Sequence, residues 1–95
     1  MTKADLVKEV SDQTGMTRSE VSLIVDSFIK SIKDAVLDNN RIEIRGFGNF
    51  SLRKRKQRTA RNPRTGEEVI IPNRFVPEFK ISKVFRREVD EIHNK

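Results

Sequence analysis

The sequence has no cysteine among its 95 residues and a single histidine, His93. Without thiols it can form no disulfide and no thiolate metal site, and this composition fits a reducing compartment. His93 lies in an acidic segment with no second histidine beside it, so we interpret it as a surface residue. There is no phosphate-binding glycine loop and no convergent carboxylate pair. We therefore expect a protein that is not an enzyme and has no metal, cofactor or small-molecule substrate.

Long apolar runs are also missing. No segment approaches the roughly 20 apolar residues of a membrane-spanning helix, and residues 1–5 lack the apolar run of a signal peptide. We therefore expect a cytoplasmic protein without a membrane partner. No internal repeat or low-complexity linker is present, so residues 1–95 are predicted to form one small domain.

Positive charge is abundant and unevenly distributed. The formal net charge is +6, with −2 in residues 1–40, +10 in residues 41–87 and −2 in residues 88–95. Evenly spread charge generally serves solubility, whereas a cationic region on a balanced chain is typical of proteins that bind a polyanion.

The basic residues concentrate in residues 53–66, which contain seven cations and no acid. These cations are Arg53, Lys54, Arg55, Lys56, Arg58, Arg61 and Arg64, and Arg74 follows on the return segment. The flanks, residues 49–52 and 68–71, have strand composition, and residues 62–66 are dense in turn formers. This pattern predicts a β-hairpin over about residues 53–74, which we call the arm. At about 3.3 Å per residue it reaches roughly 33 Å, close to the ~34 Å of one DNA turn.

The arm has no continuous apolar face to bury. Along its outgoing strand, Arg53 and Arg55 alternate with Lys54 and Lys56, and all six phenylalanines lie outside the arm. We therefore expect the arm to project from the body. It should be poorly ordered when unbound, because an isolated two-stranded hairpin is marginally stable in water.

Helical periodicity predicts three helices. The pairs Thr2/Asp5 and Thr17/Glu20 resemble capping boxes that open a first helix over about residues 3–14 and a second that runs to residue 37. Gly15 is expected to end the first helix. Ser82 is a predicted N-cap for a short helix over residues 83–92.

Strand signals occupy the middle of the chain. Residues 41–45 alternate strictly, with Ile42 and Ile44 inward, and a glycine turn leads to a second strand at residues 49–52. Pro72 and Pro77 place the returning strand at an edge or bulge position. The predicted fold is α+β: two N-terminal helices, a three-stranded antiparallel sheet with the arm inserted between its second and third strands, and a short C-terminal helix.

The second helix is apolar over too broad an arc for one short neighbour to cover. The body, residues 1–52 and 75–95, is small and has no disulfide, so self-association is the expected supplement. We predict an obligate dimer with a shared aromatic core; the alternative is that the sheet of the same chain covers the helix. The predicted dimer-core residues are Phe28, Ile32, Phe47, Phe50 and Phe79.

Over essentially its whole length the chain resembles the bacterial HU/IHF family of histone-like DNA-bending proteins. The resemblance rests on the segments 2–6, 46–50, 58–67 and 76–80, and the arm-tip string Arg-Asn-Pro-x-Thr-Gly is very specific. Many family members have Pro-Gly after the Phe-Lys pair, where this chain has Ile81-Ser82.

The resemblance implies an intertwined dimer whose two arms wrap duplex DNA through the minor groove, with Pro63 wedged between base pairs to bend it. It implies DNA contacts in the arm by Arg53, Arg55, Arg58, Arg61, Asn62, Pro63 and Arg64. It implies contacts to flanking DNA by Lys3, Lys80, Lys83 and Arg86. The implied role is architectural, with weak sequence preference, organising the bacterial chromosome in the nucleoid.

Two alternatives stay open beside the HU-like homodimer. An IHF-like subunit would prefer particular sites and could pair with a different chain; the segment 76–80 favours the HU-like interpretation. An RNA-binding protein, for instance a ribosomal one, would share the basic arm, but this arm lacks aromatic residues to stack on unpaired bases.

Overall fold

The computed structural model describes residues 1–94, which form three helices and five strands. The helices are α1 (Lys3–Thr14), α2 (Arg18–Leu37) and α3 (Lys83–His93). The strands are β1 (Ile42–Ile44), β2 (Gly48–Arg55), β3 (Arg58–Arg61), β4 (Glu68–Ile71) and β5 (Arg74–Ile81). This order confirms the predicted α+β class. The chain divides into two compact units, residues 1–35 and the residues from Val36 onward. None of the three helices has the length and apolarity needed to cross a membrane.

Local capping sets the ends of the helices in the first unit. The hydroxyl of Thr2 accepts from the amide of Asp5 at 3.3 Å, and the Asp5 carboxylate accepts from the Thr2 amide at 2.8 Å. Gly15 ends α1 in the left-handed conformation, with φ 77°, and its amide donates to Ser11 O at 2.9 Å. These features confirm the predicted start and end of α1.

At α2 the predicted capping box forms with a variation. Thr17 Oγ1 accepts from the amide of Glu20 at 3.1 Å, as expected of an N-cap. The Glu20 carboxylate accepts from the Thr17 hydroxyl at 2.9 Å, where a full box would use the Thr17 amide. The helix therefore begins at Arg18, immediately after Thr17.

Few hydrophobic residues are buried within the single chain. Across residues 1–94, the buried hydrophobic residues are Val7 of α1 and Val21 of α2, at 6% and 2% exposure. Leu23, Ile24 and Phe28 of α2 are all exposed, Phe28 by 55%. In the isolated chain, α2 thus presents a broad apolar surface to solvent.

In the second unit, β1, β2 and β5 form an antiparallel sheet with β2 at its centre. Ile42 pairs with Phe50 between β1 and β2, and the β2–β5 ladder runs from Gly48↔Ile81 to Arg55↔Arg74. Pro77 lies in β5, an edge strand, as predicted. Strands β3 and β4 form a separate two-stranded ladder.

Four phenylalanines cluster in this unit. Phe79 lies between Phe50 and Phe47, with ring centroids 4.5 and 5.1 Å away, and Phe47 also meets Phe85 at 5.9 Å. Such tilted and stacked aromatic contacts stabilise a core beyond the area they bury. The cluster is nevertheless only partly covered, since Phe47 remains 42% exposed.

The segment from Phe79 to Phe85 connects this cluster to α3. Ser82 donates its amide to Phe47 O at 2.8 Å and accepts from the amide of Phe85 at 3.1 Å, which confirms it as the N-cap of α3. Ile81 is the last residue of β5, and Ser82 caps α3 directly after it.

Candidate nucleic-acid interface

The register of β2 and β5 decides which side chains share a face. Directly paired residues of an antiparallel sheet point to the same side, and successive residues alternate. One face therefore carries Phe50, Leu52 and their partners. The opposite face, which we call the cationic face, carries Asn49, Ser51, Arg53 and Arg55 from β2 and Lys80, Glu78, Val76 and Arg74 from β5.

The cationic face unites residues that the sequence separates. Lys80, expected to contact flanking DNA, lies on the same face as the arm residues Arg53 and Arg55. Arg74 also joins them, directly opposite Arg55. Lys54 points to the other side, as the alternation predicted. A row of four cations thus runs from the sheet into the arm, and Glu78 is the one acid that the β2–β5 ladder places on this face.

The two strands of the arm do not pair continuously. Pairing stops for two residues on each side, at residues 56–57 and 72–73, and we call this break the joint. Pro72 has no amide to donate to a ladder. Asn73 Oδ1 accepts from the amide of Gln57, so a side chain takes the place of a backbone acceptor. The sequence pattern predicts one hairpin with Pro72 at an edge or bulge, and it does not predict this division into two ladders.

A concavity of about 430 Å³ lies at the joint. Its charged lining consists of Arg55, Lys56, Arg58 and Arg74. Arg55 and Arg74 are directly opposed like charges, an arrangement that destabilises a free hairpin. Within residues 1–94, no ion pair neutralises any of these four cations. An anion bound here would relieve their mutual repulsion.

The outer ladder, β3 with β4, is more mixed. Ala60 pairs with Val69 on one face, and Arg61 pairs with Glu68 on the other. Arg61 lies 3.8 Å from Glu68 and donates to Gly66 O at 3.3 Å. Both charged side chains are exposed, so this ion pair is weak and a competing anion can displace it.

The tip of the arm is held by its own hydrogen bonds. The amide of Gly66 donates to Asn62 O at 2.8 Å, and the amide of Asn62 donates to Glu67 O at 2.8 Å. Asn62 Oδ1 also accepts from the amide of Arg64 at 2.9 Å, and Gly66 takes the positive φ of 74° that closes the turn. Pro63 is exposed in this hydrogen-bonded turn. The predicted wedge residue therefore lies at the apex of the arm.

The remaining predicted body contacts lie in two places. Lys3, in the first unit, has its Nζ 2.7 Å from Asp26 Oδ1. Lys83 and Arg86 are the first and fourth residues of α3, and neither forms an ion pair with any residue in the described range 1–94. Lys83 and Arg86 are thus available to an external anion, whereas Lys3 has a competing carboxylate.

Known proteins with related sequences and folds agree with this geometry. The family described as bacterial DNA-binding protein matches residues 1–90. Integration host factor subunit beta of Marinobacter nauticus is 46% identical over 96 aligned residues, covering 100% of this chain and 98% of the relative. Integration host factor subunit alpha of Psychrobacter cryohalolentis is 35% identical over 91 residues, covering 96% and 92%. The Anabaena HU–DNA cocrystal structure matches with a TM-score of 0.84 at 35% identity, covering 94% of this chain and 97% of that one.

A three-stranded sheet that extends into a cationic hairpin is typical of a nucleic-acid-binding protein, and the relatives identify its family. The chain belongs to the HU/IHF family of bacterial DNA-binding proteins. It is an architectural DNA-binding protein, and the resemblance drawn from its residues is confirmed. The relatives include both integration host factor subunits and an HU structure, so the choice between the two subtypes stays a prediction.

Proposed function

We propose that two copies of this chain form a homodimer that binds duplex DNA through the minor groove and bends it with weak sequence preference. Residues 1–52 and 75–95 act as the dimerisation body, and the arm, residues 53–74, grips the DNA. The role is to organise the bacterial chromosome in the nucleoid of the cytoplasm. It requires no chemical step, cofactor or metal ion.

The observation that carries the proposal is the row of cations on the cationic face, which runs as far as the joint and is followed along the arm by the exposed side chains of Arg58, Arg61 and Arg64. Cations in a narrow groove gain from its concentrated negative potential, and each neutralised phosphate releases counterions. Residues 53–74 contain no helix that could enter the major groove, where base edges are read most fully. Strong but weakly selective binding follows from these two features.

The proposed contacts divide by position. The arm contacts are Arg53, Arg55, Arg58, Arg61, Asn62 and Arg64, with Pro63 as the wedge. Flanking DNA is held by Lys3, Lys80, Lys83 and Arg86. Proline suits the wedge because it is rigid and apolar and has no amide hydrogen to leave unsatisfied between bases. Unstacking one base step costs a few kcal/mol, which the wrapped contacts have to offset.

Dimerisation is supported by the apolar surface that the single chain leaves uncovered. Phe28 on α2 and Phe47 and Phe79 in the aromatic cluster are all exposed. Burying a side chain of this size contributes about 1.5–3 kcal/mol, so an interface that covers several of them is strongly favoured. We propose a shared core of Phe28, Ile32, Phe47, Phe50 and Phe79.

The test uses the protein purified alone. Sedimentation equilibrium should give twice the chain mass of 11.0 kDa. Random and selected duplexes should bind with similar affinity, and that affinity should fall steeply between two salt concentrations. A monomer, or equal affinity at both salt concentrations, would overturn the proposal.

The same experiment distinguishes the proposed homodimer from an IHF-like subunit, the alternative suggested by the names of the relatives. In that case the isolated chain would bind DNA poorly until a second, different chain is added. Alternatively, it would bind one selected site far more tightly than random duplex.

A further inference from the structure

Glu78 is the only acidic side chain that the β2–β5 ladder places on the cationic face. Its Oε2 lies 3.4 Å from Arg53 Nη1, and its Oε1 lies 3.7 Å from Lys80 Nζ. One carboxylate thus engages two cations, one on each strand. The Glu78 side chain is 23% exposed, whereas those of Arg53 and Lys80 are more than half exposed.

The surroundings of Glu78 form a polar groove of about 390 Å³ on the sheet. Its lining includes Arg41, Asn49, Ser51, Arg53, Glu78 and Lys80. Guanidinium and ammonium groups bind carboxylate and phosphate oxygens through the same charge-assisted hydrogen bonds. A DNA phosphate that approaches Arg53 or Lys80 therefore meets a carboxylate already bound to them.

We propose that Glu78 sets the affinity for DNA: its carboxylate competes with backbone phosphates for Arg53 and Lys80. This inference rests on the proposed function. Engaging the two cations requires DNA to displace Glu78, and the displaced carboxylate then attracts a cation from solution. The parent protein thus binds duplex more weakly, and releases fewer net ions on binding, than it would with a neutral residue at position 78.

If Glu78 only positioned Arg53, neutralising it would change the DNA affinity in the opposite direction. If Glu78 served to hold Arg53 in the orientation that DNA requires, neutralising it would disorder the arginine and weaken binding. The direction of the change therefore distinguishes competition from positioning.

The experiment compares Glu78→Gln with Glu43→Gln. Glu43 is exposed and pairs with Asn49, which places it on the same face of the same sheet. Within residues 1–94 it forms no ion pair. The two substitutions change the net charge equally, so their difference isolates local competition from the general gain in positive charge.

Binding to a random-sequence duplex is measured by fluorescence anisotropy over a salt series. E78Q should bind roughly three- to tenfold more tightly than E43Q at low salt, the range expected from releasing weak, partly exposed ion pairs. The slope of log K against log salt should steepen by about one for E78Q and stay near the parent value for E43Q.

A second variant, Glu78→Asp, keeps the charge but withdraws the carboxylate by one methylene. It should show a smaller gain in affinity in the same direction, which makes the proposal testable even if E78Q folds poorly. Thermal unfolding without DNA verifies that each variant is folded.

Equal gains in DNA affinity for E78Q and E43Q, or weaker DNA binding by E78Q and E78D, would overturn the proposal that Glu78 competes with phosphates. Failure of the parent protein to bind any duplex would instead overturn the proposed function itself. The two failures are read from different measurements, the first from differences between variants and the second from the parent alone.

Discussion

Gly48 occupies a position that no other residue can fill without moving the sheet. A Cβ there would overlap the carbonyl oxygen of Lys80 and lie 2.7 Å from Phe79 Cζ. The glycine thus allows β2 and β5 to pair closely where the aromatic cluster packs across them. Its role is steric and does not depend on backbone conformation, since its φ is not in the left-handed region.

We expect Gly48→Ala to destabilise the protein by about 1–3 kcal/mol, the usual cost of forcing an atom into a packed site. Urea unfolding followed by circular dichroism measures this. Gly46→Ala is the matched control, because a Cβ there meets nothing within 4 Å and the cost comes only from its φ of +81°. An unfolding midpoint for G48A equal to that of the parent would contradict the steric explanation.

Pro63 should affect the bend of DNA more than the affinity for it. We expect Pro63→Ala to reduce the bend angle, because alanine cannot hold two base pairs apart, while the arm cations keep most of the binding free energy. Fluorescence transfer between the ends of a labelled duplex measures the bend. Pro77→Ala makes the same chemical change in β5 and should leave the bend unaltered. Equal bends for P63A and the parent would count against the wedge.

The arm is the element whose order should depend most on DNA. Residues 53–74 have unneutralised cations at the joint and contain no aromatic residue, whereas α1 and α2 contain the buried residues Val7 and Val21. We expect amide hydrogens in residues 53–74 of the free protein to exchange far faster than those in the helices. Duplex DNA should slow that exchange. Arm protection equal to that of α2 without DNA would contradict this expectation.

The helices could be predicted from the sequence because their signals are local. The hydroxyls of Thr2, Thr17 and Ser82 each accept a hydrogen bond from the amide three residues further on, so short-range spacing is sufficient to locate the start of each helix. The turn at Asn62–Gly66 was predictable for the same reason. The pairing of strands that are far apart in the chain could not be predicted in this way, because it depends on contacts between residues that are distant in the sequence.

The joint and the cationic face illustrate what the sequence did not reveal. At the joint, Asn73 accepts a hydrogen bond from the amide of Gln57, 16 residues away in the chain. The placement of Lys80 beside the arm arginines depends on the β2–β5 register, which only the folded sheet fixes. The sequence therefore nominated each candidate site residue individually, and the pairing of Arg53 and Lys80 with Glu78 was not predicted.

At the scale of the whole molecule, stability should depend on protein concentration. The single chain leaves Phe28, Phe47 and Phe79 exposed, so a partner that covers them binds the folded state and stabilises it by mass action. We expect the melting temperature to rise steadily as the protein concentration is increased a hundredfold in calorimetry. Substituting Phe28 with serine should lower it at every concentration. A melting temperature independent of concentration would contradict the dimer.

The joint also has a consequence for how such proteins diverge. Because the inner ladder ends at Arg55↔Arg74 and the outer one resumes at Arg58↔Ile71, the strand register on either side is set separately. Residues gained or lost in matching pairs at the joint would change the reach of the arm without shifting any side chain of the sheet to its opposite face. The arm can therefore become longer or shorter without any change in how the strands of the body pair.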